Sequence, residues 1–514
     1  MSNLSKSTLQ VIAAGAPAAA EAGAQMLRLG GSAADAALAA ALVTCVVDPA
    51  NASLLGRCQI VLRTSQGRFA AIDGASAIPR ELPDELGSGP LAFAAVPGLP
   101  QAFGKLHAEH GRLPLALVSA PAVRVAEEGF AVPEHLAAIW LRMGARTLGG
   151  VDPYLDGTRS PTYFRHPRLA ELLRAFGAGG AAAITTGQIA RRLAEGVRAR
   201  GGFWRANDLA ANAPRDGELL HGRFRDCRIT TIGRQGWGHS LIEMLAILDR
   251  LPTFRSELID IEASRLIAVI ETCFADRPQR LGSLEPKPNG LAFETLIAPD
   301  FISGRAAAIV RRLAEAPSAP SIGKGPALLN EDRDTTHLST LDADGGTVAL
   351  TMSIGPHFGL CATDALFGLF PAKSFRMERD PVPGARDVTE MSPVIVTRGD
   401  RVLLSAGAAG SERIPGAIAQ VIVNVVDRGL SIAEAVRRPR VNVTEDRPRV
   451  HADAGAEVIT ALMERWPNLQ VSTRGHKNHL GIVHAVGQDE SGKPVGAADD
   501  AWDGLSIAVP LQQA

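Results

Sequence analysis

Asp334-Thr335-Thr336-His337-Leu338-Ser339-Thr340-Leu341-Asp342-Ala343-Asp344-Gly345-Gly346-Thr347, continuing through Ile354, is the stretch on which the fold turns. Thr335 to Leu341 and Thr347 to Ile354 are β-branched and apolar runs flanking an Asp/Gly turn, a strong short-range hairpin signal. A turn centred on Asp344 sets Thr335 directly across from Ser353, where opposed Cβ atoms lie roughly 4.5–5.5 Å apart. A threonine at the head of one strand then meets a second hydroxyl on its partner.

That pairing suits a nucleophile which becomes an N-terminus when the chain is cut between Asp334 and Thr335. A threonine hydroxyl is weak at its ordinary pKa and needs an adjacent base. A freed α-amino group, with a pKa of about 7.7–8.0, supplies one from the same residue. On local pattern alone a second reading stands beside it: a β-branched strand with a polar edge.

The order of several further motifs decides between them. Thr335-Thr336-His337-Leu338-Ser339 with its Asp-Gly hairpin resembles the processing site of the γ-glutamyltranspeptidase family of N-terminal nucleophile hydrolases. Glu21-Ala22-Gly23 and Leu29-Gly30-Gly31-Ser32-Ala33-Ala34-Asp35-Ala36-Ala37 are similar to its opening helices. Val96-Pro97-Gly98, Gly111-Arg112-Leu113-Pro114 and Ala126-Glu127-Glu128-Gly129-Phe130 follow in family order, then Phe274-Ala275-Asp276-Arg277 and Leu281-Gly282. Met391-Ser392-Pro393 and Gly407-Ala408-Ala409-Gly410-Ser411-Glu412-Arg413-Ile414 complete the series. The resemblance implies an α+β fold, the four-layer αββα sandwich. It also implies a large subunit, 1–334, and a small one, 335–514, from one precursor and interleaved as one body.

Composition fits a soluble enzyme, and the resemblance implies a small-molecule amide as its substrate. The 514 residues carry 53 Lys and Arg against 54 Asp and Glu, so no electrostatic case exists for nucleic acid or an anionic membrane. Aromatics make up only 4%, which leaves no evident stacking platform for bases. Cys45, Cys58, Cys227, Cys273 and Cys361 are scattered and odd in number, and they read as small buried thiols rather than disulfides or a zinc site. No cofactor or metal is expected. Met1 to Gln10 lack a signal-peptide pattern, and Ala36 to Val47 is too short to span a bilayer, so a cytoplasmic location is expected.

Residues 16–48 read as two Ala-rich helices parted at Gly30-Gly31, with Ser32 and Asp35 as a cap. Strands are expected at 59–63, 69–73, 337–341, 347–354, 393–397 and 402–406. Helical periodicity fills much of 97–145, 165–200, 241–251 and 259–274, and a helix is expected near 414–428. Pro317, Pro320, Gly323, Gly325 and Pro326 mark 311–334 as an exposed linker ahead of the cut.

Gly407 to Ser411, between strand and helix, reads as a loop whose backbone N–H groups converge on a substrate oxygen. By the resemblance, Gly410 and Ser411 are the oxyanion donors, with Ser411 where the family has glycine. Other departures gather at recognition positions. The family's carboxylate-binding arginine falls at Ala75, with Arg80 the nearest substitute. An asparagine falls at Gly355, a serine pair at Thr389-Glu390, and an acidic segment at Ala365 to Ser374. Thr389, Glu390, His357 and Gly355 are therefore the candidate substrate-binding residues, and His337 also flanks the site. This pattern is similar to family members lacking the γ-glutamyl clamp, including oxamate amidohydrolase and cephalosporin-type acylases. The expectation is amide hydrolysis of a small acid. The alternatives are a γ-glutamyltransferase or glutathione hydrolase, a cephalosporin-type acylase, and a non-catalytic relative that binds a metabolite or is purely structural.

Overall fold

Side chains alternate along the strand Arg333–Leu341, and that alternation builds two apolar layers. Leu338 joins the large cluster under the N-terminal helices, whereas Leu341 packs with Val11, Ala13 and Val486 on the opposite face. The computed structural model describes residues 8–144, 160–254, 259–277, 290–315, 333–379, 381–444, 447–475 and 479–511.

Two antiparallel sheets stack face to face. The first has seven strands in the order Leu505–Pro510, Leu9–Ala14, Arg333–Leu341, Thr347–Pro356, Arg57–Arg63, Phe69–Gly74 and Arg215–Asp216. The second has six, in the order Pro494–Ala498, Ile482–Gln488, Arg401–Ala409, Val394–Arg398, Cys227–Ile232 and Leu219–Phe224. Val61 and Ala71 from the first sheet meet Ile232, Ile395 and Val402 from the second. Helices including Ala33–Val47, Leu99–His110 and Pro167–Thr185 cover the outer face of the first sheet. Gly238–Asp249, Asp260–Asp276, Pro299–Ala314 and Arg413–Val426 help cover the second. The layering is the expected αββα sandwich.

Helix Ala33–Val47 is buried on every side, which its alanines permit because they carry no bulk to keep neighbouring elements apart. Ser32 and Asp35 close a reciprocal capping box at its start, as the sequence predicts. The helix also anchors the hairpin. Asp342 Oδ2 accepts from Ala33 N–H at 3.0 Å, and Thr340 Oγ1 donates to Ala33 O at 2.8 Å.

Three sequence expectations need correction. The pairing runs as counted through Met352↔Thr336, but a β-bulge follows and the next pair is Gly355↔Asp334. Thr335 and Ser353 therefore meet inside the bulge rather than in regular register. The linker expected at 311–334 is shorter at both ends: the helix runs to Ala314 and the strand begins at Arg333. Residues 316–332, and the Leu281-Gly282 motif, lie outside the described residues. Finally, Gly407 to Ala409 belong to the strand Arg401–Ala409, leaving Gly410, Ser411 and Glu412 as the turn.

Candidate active site

Thr335 lies one alternation from His337 and shares its face, toward the second sheet. On the neighbouring strand Val348, Leu350 and Met352 pack under the helices, so Thr351 and Ser353 face the second sheet too. Both candidate hydroxyl residues are buried, Thr335 at 5% and Ser353 at 4% exposure. Ser353 Oγ accepts from Gly355 N–H at 2.8 Å within the bulge. Bulges re-aim side chains and favour sites of function. Here the bulge adjoins the Asp334–Thr335 peptide, through which the strand runs unbroken.

His337 anchors this face. Its Nδ1 bonds Thr351 Oγ1 and its Nε2 bonds Ser339 Oγ, each at 2.8 Å. Burial, with His484 close by, holds its pKa well below the usual imidazole value, so the ring is neutral. Gly407 of the second sheet lies against it, and a Cβ at residue 407 would stand 2.3 Å from the ring. The glycine there admits the histidine between the sheets.

Two tie points align the facing strands. Arg63 bridges Gly345 O and Asp400 O, each at 3.2 Å, at the hairpin turn, and His337 meets Gly407 farther along. The strands thus run oppositely, and counting onward brings Gly410 and Ser411 to the Thr335 end. Gly410 has φ of +129° and Ser411 φ of +52°, so the chain turns sharply before the helix Arg413–Val426. Ser411 Oγ donates to Glu390 Oε1 at 2.9 Å, which brings two candidate residues together. Backbone N–H groups at such a turn, before a helix N-terminus, suit an anionic oxygen.

The other candidates are placed as follows. Gly355 has φ of +93°, and a Cβ there would meet Arg57 Nη2 at 3.2 Å and the Phe375 ring at 3.4 Å. Thr389 is buried beside the 233–238 loop, its N–H donating to Gln235 O at 3.3 Å. His357 is 2% exposed; its Nδ1 bonds Asn51 Oδ1 at 2.9 Å, and its ring neighbours Trp502. Arg80 is exposed, and its backbone N–H donates to Asp208.

Sequence reasoning missed the roles of three arginine side chains. Arg57 is the cross-strand partner of Ser353 and its charge is met by Asp387 at 3.6 Å. Arg386 lies beside the Ala75 turn, where it pairs with Asp73 at 2.8 Å and bonds Asn212 and Ala213. Arg277 stacks on Trp237, its guanidinium carbon 3.3 Å from the ring centroid. Only Arg277 carried any signal, as the last residue of the Phe274-Ala275-Asp276-Arg277 motif.

The Gamma-glutamyltranspeptidase family model matches residues 19–509. The Acylase ACY 1 proenzyme of Pseudomonas sp. (strain V22) is 29% identical, over 96% of this chain and 92% of that protein. The Glutathione hydrolase proenzyme of Escherichia coli (strain K12) is 25% identical, over 94% and 88%. Among solved structures, the cephalosporin acylase from Bacillus halodurans superimposes with a TM-score of 0.83 at 23% identity, covering 99% of this chain and 97% of that one.

Proposed function

Because this chain belongs to the gamma-glutamyltranspeptidase family, we propose that it is a self-cleaving amidohydrolase whose nucleophile is Thr335 and whose substrate is an amide of a small acid. The supporting observation is the meeting of Thr335 and Ser353 in a bulge at the scissile peptide, with the Gly410-Ser411 turn at the same end of the facing strand.

Maturation uses the same groups as turnover. Thr335 Oγ1 adds to the carbonyl carbon of Asp334, the C–N bond breaks, and the nitrogen takes a proton to become a free α-amine. Water hydrolyses the resulting ester, leaving an Asp334 carboxylate and restoring the Thr335 hydroxyl. Residues 1–334 and 335–514 then form the large and small subunits. In turnover the α-amine accepts the hydroxyl proton as Oγ1 attacks the substrate carbonyl. The Gly410 and Ser411 N–H groups hold the oxyanion. The proton passes to the departing amine, and water releases the acid from the acyl-enzyme. Ser353 Oγ positions the nucleophile.

Amides of small acids are favoured over γ-glutamyl compounds because Ala75 leaves the clamp position without a guanidinium and Arg386 beside it is already saturated. A denaturing gel with N-terminal sequencing tests the maturation step. Two fragments, one beginning at Thr335, are expected; a single intact chain that still releases ammonia from amides would overturn it.

A further inference from the structure

Cations face one another where the two sheets part at the hairpin-turn end. Val61 and Ala71 of the first sheet pack there against Ile232 of the second, with Phe69 and Leu219 beside them. Residues two or four apart on a strand share a face. Arg63 from the first sheet, and His221, Arg223 and Arg228 from the second, therefore point into the same gap as Phe69. They line an open cavity of about 540 Å³, within the range of small-molecule sites.

Arg223 and Arg228 are directly opposed in the register of their strands, a pairing that like charges make unfavourable. Neither they nor Arg63 forms an ion pair among the described residues. An inward charge can protect an open sheet edge. Leu219–Phe224 is such an edge, but Arg63 and Arg228 stand on interior strands, so edge protection leaves them unexplained. Arg228 is held ready for a ligand: its guanidinium carbon lies 5.1 Å from the Phe69 ring centroid, and its Nη2 meets the His221 ring at 3.2 Å. Arg63 spends two of its five N–H groups on Gly345 O and Asp400 O. Burial, with Arg228 beside it, holds the His221 pKa below the usual imidazole value, so that ring adds no charge above pH 7. Of the two carboxylates at the rim, Asp226 is claimed by Arg398 at 2.7 Å. Asp400 alone is left against three guanidinium groups. The excess matches the nearly two negative charges of a phosphate group, whose oxygens suit the guanidinium fork.

We propose that this gap is a second ligand site, which takes a phosphate group on Arg223, Arg228 and Arg63. The volume of the cavity favours a small phosphate monoester over free phosphate. The site stands apart from the nucleophile and does not depend on the amidohydrolase reading. Arg63 pairs with Thr347 and Arg57 with Ser353, six residues along the same strand, a separation of roughly 20 Å. Because Arg63 also ties the hairpin turn to the second sheet, an occupied site stabilises the stacking of the sheets.

Calorimetric titration of the purified protein with glycerol 3-phosphate and with inorganic phosphate reads the site, at a constant ionic strength of about 0.15 M. Thermal unfolding is followed alongside, in the wild type, Arg223→Gln and Arg228→Gln. The wild type is expected to bind with a Kd of about 1 mM or tighter, and its unfolding midpoint to rise with the ligand. Each variant is expected to bind at least tenfold more weakly. Without ligand each variant should unfold at the wild-type temperature or above it, since the like-charge pair is gone. Tighter binding of glycerol 3-phosphate supports a monoester as the ligand, and equal binding of the two supports free phosphate. No binding at concentrations up to about 10 mM, equal binding in the variants, or an equal rise with sodium chloride at matched ionic strength would overturn the proposal.

Discussion

In the proposed mechanism Thr335 carries two reactions, and separate changes to one side chain distinguish them. Thr335→Ala is expected to leave one full-length, inactive chain, since no hydroxyl remains to attack the Asp334 carbonyl. Thr335→Ser is expected to cut more slowly, because serine lacks the methyl group that narrows its χ1 choices. A fragment beginning at residue 335 in the alanine variant would show that cleavage has another cause. Ser353 is half of the same pair and sits on the bulge through its bond to Gly355 N–H. Ser353→Ala is expected to slow processing and turnover by roughly 10- to 10³-fold, the range for losing one positioned group. Time-resolved gels and ammonia assays measure the two rates, and wild-type values would reduce Ser353 to a strand residue. The mature α-amine adds a pH dependence. Activity should rise as it deprotonates through about pH 7.7–8.0, displaced by whatever charge surrounds it.

Between elements, the contact of His337 with Gly407 fixes how the nucleophile strand faces the turn. A Cβ on residue 407 would stand 2.3 Å from Nδ1 and 2.4 Å from Cε1 of the ring, so the ring or the strand must shift. Gly407→Ala is expected to lower stability by about 1–3 kcal/mol, as overpacking does, and to slow cleavage at Thr335. Gly407→Ala with His337→Ala should recover part of the loss relative to the sum of the single variants. Strict additivity, measured by denaturant unfolding, would mean that the two residues do not press on each other. This contact also shows what the sequence made legible. The Ser32/Asp35 cap and the Asp/Gly hairpin are local patterns, with partners three to seven residues apart, and they were readable. Gly407 looked like part of an open loop because its reason for being small, His337, stands seventy residues earlier and on another sheet. The bulge was unreadable for a related reason: a residue count gives register only where pairing stays regular. Arg386 meets Asp73 across more than three hundred residues, and no spacing rule reaches that far.

For the whole molecule, motif order rather than periodicity carried the αββα architecture, because alternating strands and helices fit many layered folds. Titration of its buried groups gives a test at the same scale. Glu243 is fully buried in the helix Gly238–Asp249, and burial, with Asp276 adding to it, pushes its pKa up to about 10. An unfolded glutamate ionises near 4.3. Between those values the native state holds a proton that the unfolded state has lost, so stability falls as pH rises, by up to about 1.4 kcal/mol per pH unit. The buried histidines act in the opposite direction below about pH 6.5. His484 is pushed down to about 4 and His451 to about 3, chiefly by burial, so the unfolded chain binds protons that the native state refuses. Above pH 7 those histidines are neutral in both states, and the carboxyl acts in the same direction as the thiols of Cys45, Cys58, Cys227 and Cys273, which burial raises above the range in which unfolded thiols ionise. From pH 7.0 to 8.5 the wild type is expected to lose about 2 kcal/mol more than Glu243→Gln, which keeps the size and cannot ionise. Parallel slopes in denaturant titrations at the two pH values would show that Glu243 is ionised in the native protein. That would require a cation close enough to hold its charge within the helix layer behind the Gly410-Ser411 turn.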